Sequence, residues 1–263
     1  MSESRAGSRA LLAWRLGLLV VVLCVWQFAS GRLVSPLFIS SPADVATKFW
    51  ALATSGKLFF HASYTAMHAL AGFALGAVAG MAAGLALGRL TRLAEVLDPF
   101  LMGFYSLPKI ALAPLFILWF GVGTEMKVLF VAMIVFLLVF LNTYAGVRNV
   151  SREQIAILRL MRASEAQILA KVVLPSAFTW VFTGLRLSVP YALIGAIMGE
   201  MLASNRGLGY LLADASAQFD TGGAFAGLVA IIAMAVLLNW AVRVTEKKAM
   251  PWREAEASRE LSF

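Results

Sequence analysis

The sequence predicts an all-α polytopic membrane bundle of about six transmembrane helices, and three observations lead there. The chain has 263 residues, 61% of them hydrophobic and only 14% charged, whereas a soluble domain is nearer half apolar and a quarter charged. Only helices and closed barrels satisfy every backbone hydrogen bond inside hydrocarbon. The apolar residues here form unbroken runs without alternation, which selects helices. Runs approaching a membrane-spanning length lie at 16–30, 66–88, 100–121, 128–147, 178–198 and 225–242.

The first run follows Arg5, Arg9 and Arg15 and ends in "QFASG". Phe28 stands where signal cleavage wants a small residue, so a retained anchor is expected. Cys24 is the one cysteine, which excludes an internal disulfide or a cysteine-clustered metal site. Leu23 before it does not fit a lipoprotein cleavage site, and the thiol is read as plain packing. The segment 31–61 is too long for a turn, and Pro42 and Gly56 bracket a short surface helix over 43–55. The chain thus divides into an anchor with an external segment at 1–60, a transmembrane core at 61–250 and a tail at 251–263.

The second run reads "GFALGAVAGMAAGLALG", with Gly72, Gly76, Gly80, Gly84 and Gly88 at every fourth position. Each glycine disfavours a helix by up to ~1 kcal/mol relative to alanine in water, so five of them need compensation. Small residues at this spacing let a neighbouring helix approach closely. A tightly packed helix is the plainer reading, and a sliding surface the sharper one. In the third run Lys109 sits between Pro108 and Pro114. Two prolines release backbone carbonyls, and broken helices are tolerated beside water-filled paths. Pore lining on one side, and a structural salt bridge or snorkelling on the other, stay equally open for Lys109. Asn142 and Thr143 near the end of the fourth run are expected to hydrogen-bond between helices, a place on the path being the rival. Arg186 in the fifth run is expected to snorkel.

Glu200 opens "GEMLASNRGLGYLL", where Gly207 and Gly209 flank Leu208 and the chain is expected to fold back before Asp214. Pairing with Arg206 is the plainer role for Glu200. His61 and His68 stand seven apart with no carboxylate or cysteine near them in sequence, so no metal site is expected.

Lysine and arginine fix the direction of insertion. With the N-terminus inside, Arg5, Arg9, Arg15, Arg89, Arg92, Arg148, Arg152, Arg159, Arg162, Lys171, Arg243, Lys247, Lys248, Arg253 and Arg259 are cytoplasmic, against Arg32, Lys48, Lys57, Lys127 and Arg206 outside. Both termini are therefore expected in the cytoplasm. The net charge of +8 reflects this orientation; a nucleic-acid partner would need a basic soluble face interleaved with aromatics.

The charged stretch "RLMRASEAQILAKVVLP", Arg159 to Pro175, interrupts the apolar half of the chain. Ser151 precedes Gln154 by three residues and Ser164 precedes Gln167 likewise, both matching the capping-box pattern. Two short helices are expected, over 152–161 and 165–172, hinged near Arg162 and Ala163, with Pro175 opening the next span. Ile155, Leu158 and Met161 stripe the first, and Ile168 and Val172 share a face of the second with Leu169 alongside. Such a hairpin either lies on lipid headgroups or plugs an apolar ridge into a partner's groove.

From about residue 60 to 253 the chain resembles binding-protein-dependent ABC importer permeases of the nitrate, sulfonate, taurine and bicarbonate branch. The stretches at 97–123, 172–189 and 199–212 carry the likeness in order. The insert resembles that family's coupling segment, Glu-Ala-Ala, three residues, Gly, nine residues, Ile, one residue, Leu-Pro. Here Leu174 and Pro175, Val172, Arg162, and Ala156 with Ile157 and Leu158 take those positions. The turn glycine is thus Arg162, where a positive φ would cost about 1 kcal/mol or more, and the acidic position is Ala156.

The resemblance implies an inner-membrane permease working as a homodimer with an ATP-binding cassette ATPase subunit and an external solute-binding protein. The solute is expected to be a small anion such as a sulfonate, taurine or nitrate, with a pyrimidine or other small heterocycle as the alternative. The hairpin 151–172 becomes the ATPase-coupling element. Ile155, Leu158, Met161 and Ile168 would enter the ATPase groove, Arg159, Arg162 and Glu165 would form its rim, and Ala163, Ser164 and Gln167 would shape the turn. Lys109, Asn142 and Glu200 become candidates for the translocation path. No phosphate-binding loop occurs in the sequence, so ATP hydrolysis is assigned to another subunit and no cofactor is expected. The same scan finds no HExxH motif, nucleophile elbow or paired carboxylates, which leaves a membrane enzyme without candidate chemistry. An ATP-independent channel or secondary transporter is disfavoured by the lack of inverted repeats around broken helices.

Overall fold

The computed structural model describes the backbone of residues 2–249 and, within them, all side chains except those of residues 2–10, 91, 152, 247 and 249. Arg5, Arg9, Arg152 and Lys247 are therefore described only as backbone, and Arg253, Arg259 and the tail at 251–263 lie outside the described residues.

Among the described residues the regular structure is helical. Helix α1 (Ser2–Ala29) is followed by α2 (Pro42–Thr54), α3 (Lys57–Arg89) and α4 (Thr91–Ser106). After a 3₁₀ turn (Lys109–Leu112) come α5 (Ala113–Phe120), α6 (Thr124–Arg148), α7 (Arg152–Leu160) and α8 (Glu165–Ile168). A π turn (Leu169–Val173) leads into α9 (Leu174–Ala203), then α10 (Leu208–Ala217) and α11 (Thr221–Ala249). Five helical stretches are long and apolar enough to cross a membrane, or six if the α4–α5 pair is one bent span.

The run at 100–121 is broken between its two prolines, Pro108 and Pro114. Its halves meet at 86°. The physical cause is local. Leu107 is held extended before Pro108, and Pro114 lacks an N–H, so only a four-residue 3₁₀ turn joins the two halves.

Helices α3, α6 and α9 form the centre. Burial from lipid gives little hydrophobic gain, so close packing must hold them. The glycines of α3 make that packing. A Cβ on Gly72 would stand 2.5 Å from Val131 Cβ, one on Gly80 2.8 Å from the Phe136 carbonyl, and one on Gly84 2.7 Å from Thr143 Cβ. Gly76 lies against the Ala132 carbonyl and Gly88 against Val147. Partners advance by four as the glycines do, so α3 and α6 run parallel. Helix α9 runs antiparallel to α6, because Gly184 meets Asn142 while Gly199 meets Lys127. Val131, Val135 and Val139 are buried in this seam with Ala69, Ala77, Ala192 and Ala196.

The chain ends of these helices define two ends of the bundle. One carries the α7–α8 hairpin; the other, the distal end, carries the starts of α3 and α6, the end of α9, and α10. Helix α2 lies across the distal end. Ser41 caps it by accepting from Asp44 N at 3.2 Å, Trp26 Nε1 donates to the Ser40 carbonyl at 2.7 Å, and Lys48 meets Asp220 at 3.0 Å. Apolar side chains exposed on the outer faces, such as Leu18, Trp50, Leu118, Val236 and Leu237, suit a chain surrounded by lipid.

Candidate functional site

The hairpin end is built from local signals. Ser164 and Gln167 form a complete capping box: Gln167 N donates to Ser164 Oγ at 3.3 Å, and Ser164 N donates to Gln167 Oε1 at 2.8 Å. The expected box at Ser151 is only half formed. Gln154 N donates to Ser151 Oγ at 3.2 Å, but Ser151 Oγ turns to Glu153 Oε2 at 3.2 Å, and no described bond brings the Gln154 side chain back. Arg162 does adopt the left-handed region, with φ 55°. Ala163 N then reaches the Leu158 carbonyl at 3.0 Å, the closure that ends a helix on a left-handed residue.

The second short helix expected over 165–172 is corrected. Only Glu165–Ile168 is α-helix, and the π turn Leu169–Val173 carries the chain into α9 without a break. A wider turn accommodates Pro175, whose missing N–H would leave an α-helical carbonyl unpaired.

The apolar stripe is also divided. Ile168 is buried and Ile155 and Leu158 are half-buried, all packed around Val147, Val150, Val173 and Ala177 at the roots of α6 and α9. Ala163 and Leu169 join them. Met161 stays exposed, together with Leu160 and Ile157, which are 72%, 85% and 57% accessible. The inward side chains fix the hairpin to the bundle, because the chain's own core takes the face that was expected to meet a partner. Arg159 and Glu165 join the two arms at 3.2 Å, and Arg162 and Gln167 are exposed.

At the distal end the centre is Glu200, completely buried. Thr65 Oγ1 donates to its Oε2 at 2.8 Å, as does Gly209 N at 3.0 Å. His68 Nδ1 lies 2.8 Å from its Oε1. Thr65 in turn accepts from Leu208 N at 2.7 Å, and His61 Nδ1 accepts from Gly207 N at 3.2 Å. Gly207, at φ 105°, leaves room for the Glu200 carboxylate, which a Cβ there would strike. The carboxylate thus ties α3 and α9 to the first turn of α10. The Glu200–Arg206 pair, the plainer of the two roles read for Glu200, is not formed; Arg206 Nη1 instead donates to Tyr64 Oη at 2.6 Å. His68 does have a carboxylate beside it, one that lies 132 residues away in sequence.

Lys127, read from sequence only as an orienting charge, is buried, and its ammonium donates to the carbonyls of Val122 at 2.8 Å and Gly123 at 3.1 Å. Lys109 stands at the α4–α5 bend, donating to the Tyr105 carbonyl at 2.9 Å and lying over the Tyr105 ring. No ion pair to it occurs among the described residues. Asn142 bonds within its own helix, to the Leu138 carbonyl at 2.8 Å, and the buried Thr143 Oγ1 has no described partner, so neither makes the hydrogen bond between helices that was expected. Arg186 is exposed on α9. No group of three or more His, Cys, Asp or Glu residues able to hold a metal occurs among the described residues.

Two signals pointed to the residues that were missed. His68 and Thr65 continue the Gly72–Gly76 face one and two turns back, and Lys127 precedes Val131 and Val135 at intervals of four. Extending each face by a turn leads into the buried cluster.

Comparison with known proteins agrees with this architecture. The MetNI methionine ABC transporter, solved in inward-facing conformations, has a chain of the same fold, at TM-score 0.59 and 18% identity over 69% of this chain and 90% of that one. A permease of Bacillus subtilis strain 168 named for aliphatic sulfonates transport, SsuC, is 34% identical over 94% of this chain and 91% of its own. The formylaminopyrimidine transport permease ThiX of Halalkalibacterium halodurans is 31% identical over 90% of this chain and 94% of its own. The taurine transport system permease TauC of Escherichia coli K12 is 30% identical over 90% and 88%. The model of the binding-protein-dependent transport system inner membrane component matches residues 72–250, and the chain belongs to that family of integral, multi-pass inner-membrane transport permeases.

Proposed function

We propose that this permease imports a small sulfonate-type anion, received from an external binding protein and driven by a separate ATPase subunit bound to the α7–α8 hairpin. The carrying observation is the exposed apolar knuckle of Ile157, Leu160 and Met161, mounted on a hairpin whose inner face is locked into the roots of α6 and α9. A partner pushing on the knuckle moves both helices, because the inner face of the hairpin packs on their roots. Arg159, Arg162 and Glu165 rim the knuckle and set its register. The lysine and arginine distribution supports a cytoplasmic position for this end and for both termini. Two copies of the chain, embedded in lipid, form one pathway.

Similarity to SsuC and TauC supports the sulfonate class. Similarity to ThiX favours a second reading, in which the same machinery takes a pyrimidine. Cells expressing the system and offered labelled ethanesulfonate or a formylaminopyrimidine separate the two, since only the true class accumulates. Leu160→Asp with Met161→Asp tests the coupling. Uptake should fall to background and the ATPase subunit should no longer co-purify, with membrane insertion unchanged. Wild-type uptake and co-purification in that double variant would mean that the hairpin only rests on headgroups.

A further inference from the structure

The polar cluster at the distal end borders a cavity of about 540 Å³ between the starts of α3 and α6 and the end of α9. Its wall carries Lys127 and Arg206, and no carboxylate lines it. Glu200 lies behind the wall, fully buried, with His68, Thr65 and Gly209 on its oxygens. Glu200 and Glu125 each offset part of the Lys127 charge without reaching ion-pair distance, and neither lines the cavity. The two cations are held differently. Lys127 is 3% exposed and spends two of its three donors on the Val122 and Gly123 carbonyls. A neutral amide could serve those carbonyls. A buried ammonium with no carboxylate within ion-pair distance is costly to retain unless something else answers its charge. Arg206 is kept at the rim by the Tyr64 hydroxyl and lies 5.1 Å above the Tyr64 ring, which leaves most of its fork of donors free. Ser204 and Asn205 add polar groups on the same wall, and α6 begins there with no side-chain cap.

We propose that this cavity is an oxyanion subsite in which Lys127 and Arg206 together hold the anionic headgroup of the transported solute at the distal mouth of the pathway. The assignment of the anion as the transported solute rests on the sulfonate-importer reading; the existence of an oxyanion site does not. A lipid phosphate shares the chemistry, and the test separates the two sources.

The full chain, purified in detergent, is titrated with sodium ethanesulfonate against equal sodium chloride while thermal unfolding is followed. Ethanesulfonate should raise the wild-type Tm above the chloride control. The half-saturating concentration should rise at least about tenfold in Lys127→Gln and in Arg206→Gln, each variant losing a charged hydrogen bond. Lys57→Gln, which removes a cation at the same end outside the cavity, should titrate like wild type. Arg206 is exposed, so its variant reads the site even if Lys127→Gln fails to fold. Absence of a wild-type shift beyond chloride, or wild-type titration by Arg206→Gln, overturns the site. Abolition of the shift by stoichiometric phosphatidylglycerol, with no recovery at high ethanesulfonate, makes a lipid phosphate the occupant and overturns the solute subsite. Ethanesulfonate uptake by cells is read separately. Binding without uptake overturns the sulfonate-importer reading and leaves the oxyanion site. Uptake of wild-type affinity in Arg206→Gln overturns the site and leaves the importer.

Discussion

At the hairpin end Arg159 and Glu165 meet at 3.2 Å with side chains 64% and 69% exposed; at the distal end Glu200 is wholly buried and bonded to His68, Thr65 and Gly209. An exposed pair gains little, because water screens it and both long side chains must be held in place. A buried carboxylate must be fully satisfied or it destabilises the fold. Polar groups at the hairpin are therefore free to serve an encounter with something outside the chain, while those around Glu200 lock three segments of the chain to each other. The glycine seam between α3 and α6 joins the two ends through close backbone packing.

The strongest way to break this contrast is to remove the buried acceptor. Glu200→Leu leaves the Thr65 hydroxyl, the Gly209 N–H and His68 without their partner, and the loss should be about 3–5 kcal/mol. Thermal unfolding in detergent measures it; a loss below about 1 kcal/mol would mean that water already shares those bonds. Next in size is the seam. Gly80→Val brings a side chain against the Phe136 carbonyl and the Phe140 nitrogen, backbone atoms that cannot rotate away. It should cost about 1–3 kcal/mol, and a matched change at the exposed Gly103, which has no atom within 4 Å of a Cβ, should cost far less.

The smallest effect sharpens the contrast at the Lys48–Asp220 clip. Burial pushes the Asp220 carboxyl up, but the Gly223 N–H and the Lys48 ammonium outweigh it and hold the group below the ordinary carboxylate range. Because the folded value is the lower one, the clip stabilises fully above the unfolded value near pH ~4 and fades as pH falls through the folded value. With side chains 44% and 38% exposed, its worth is at most about 1 kcal/mol. Lys48→Met should lower stability at neutral pH by up to about 1 kcal/mol, shallow the acid side of the stability–pH curve and converge on wild type at low pH; a steeper acid loss in the variant would reverse the assignment.

Much of the fold was legible because its signals are local. The apolar runs marked the long helices, Ser164 and Gln167 marked a cap, and Pro108 and Pro114 marked a break, although not its 86° angle. The candidate site was less legible. Glu200 stood out as a carboxylate near a glycine pair, but its side-chain partners His68 and Thr65 lie 132 and 135 residues away. The hairpin's position was readable, whereas the inward turn of Ile155, Leu158 and Ile168 depended on Val147 and Val173 being there to receive them.

Composition and periodicity thus determined that this chain crosses the membrane as helices, where it breaks, and which faces are small enough for close approach. Each of those depends on residues within a turn or two of one another. The tertiary structure alone decided that the glycine face of α3 packs on α6, that Lys127 is buried beside a cavity, and that Glu200 answers to His68 rather than Arg206. Sequence spacing carries no information on which distant faces meet, and the energy of a buried charge is set by the groups that surround it in space.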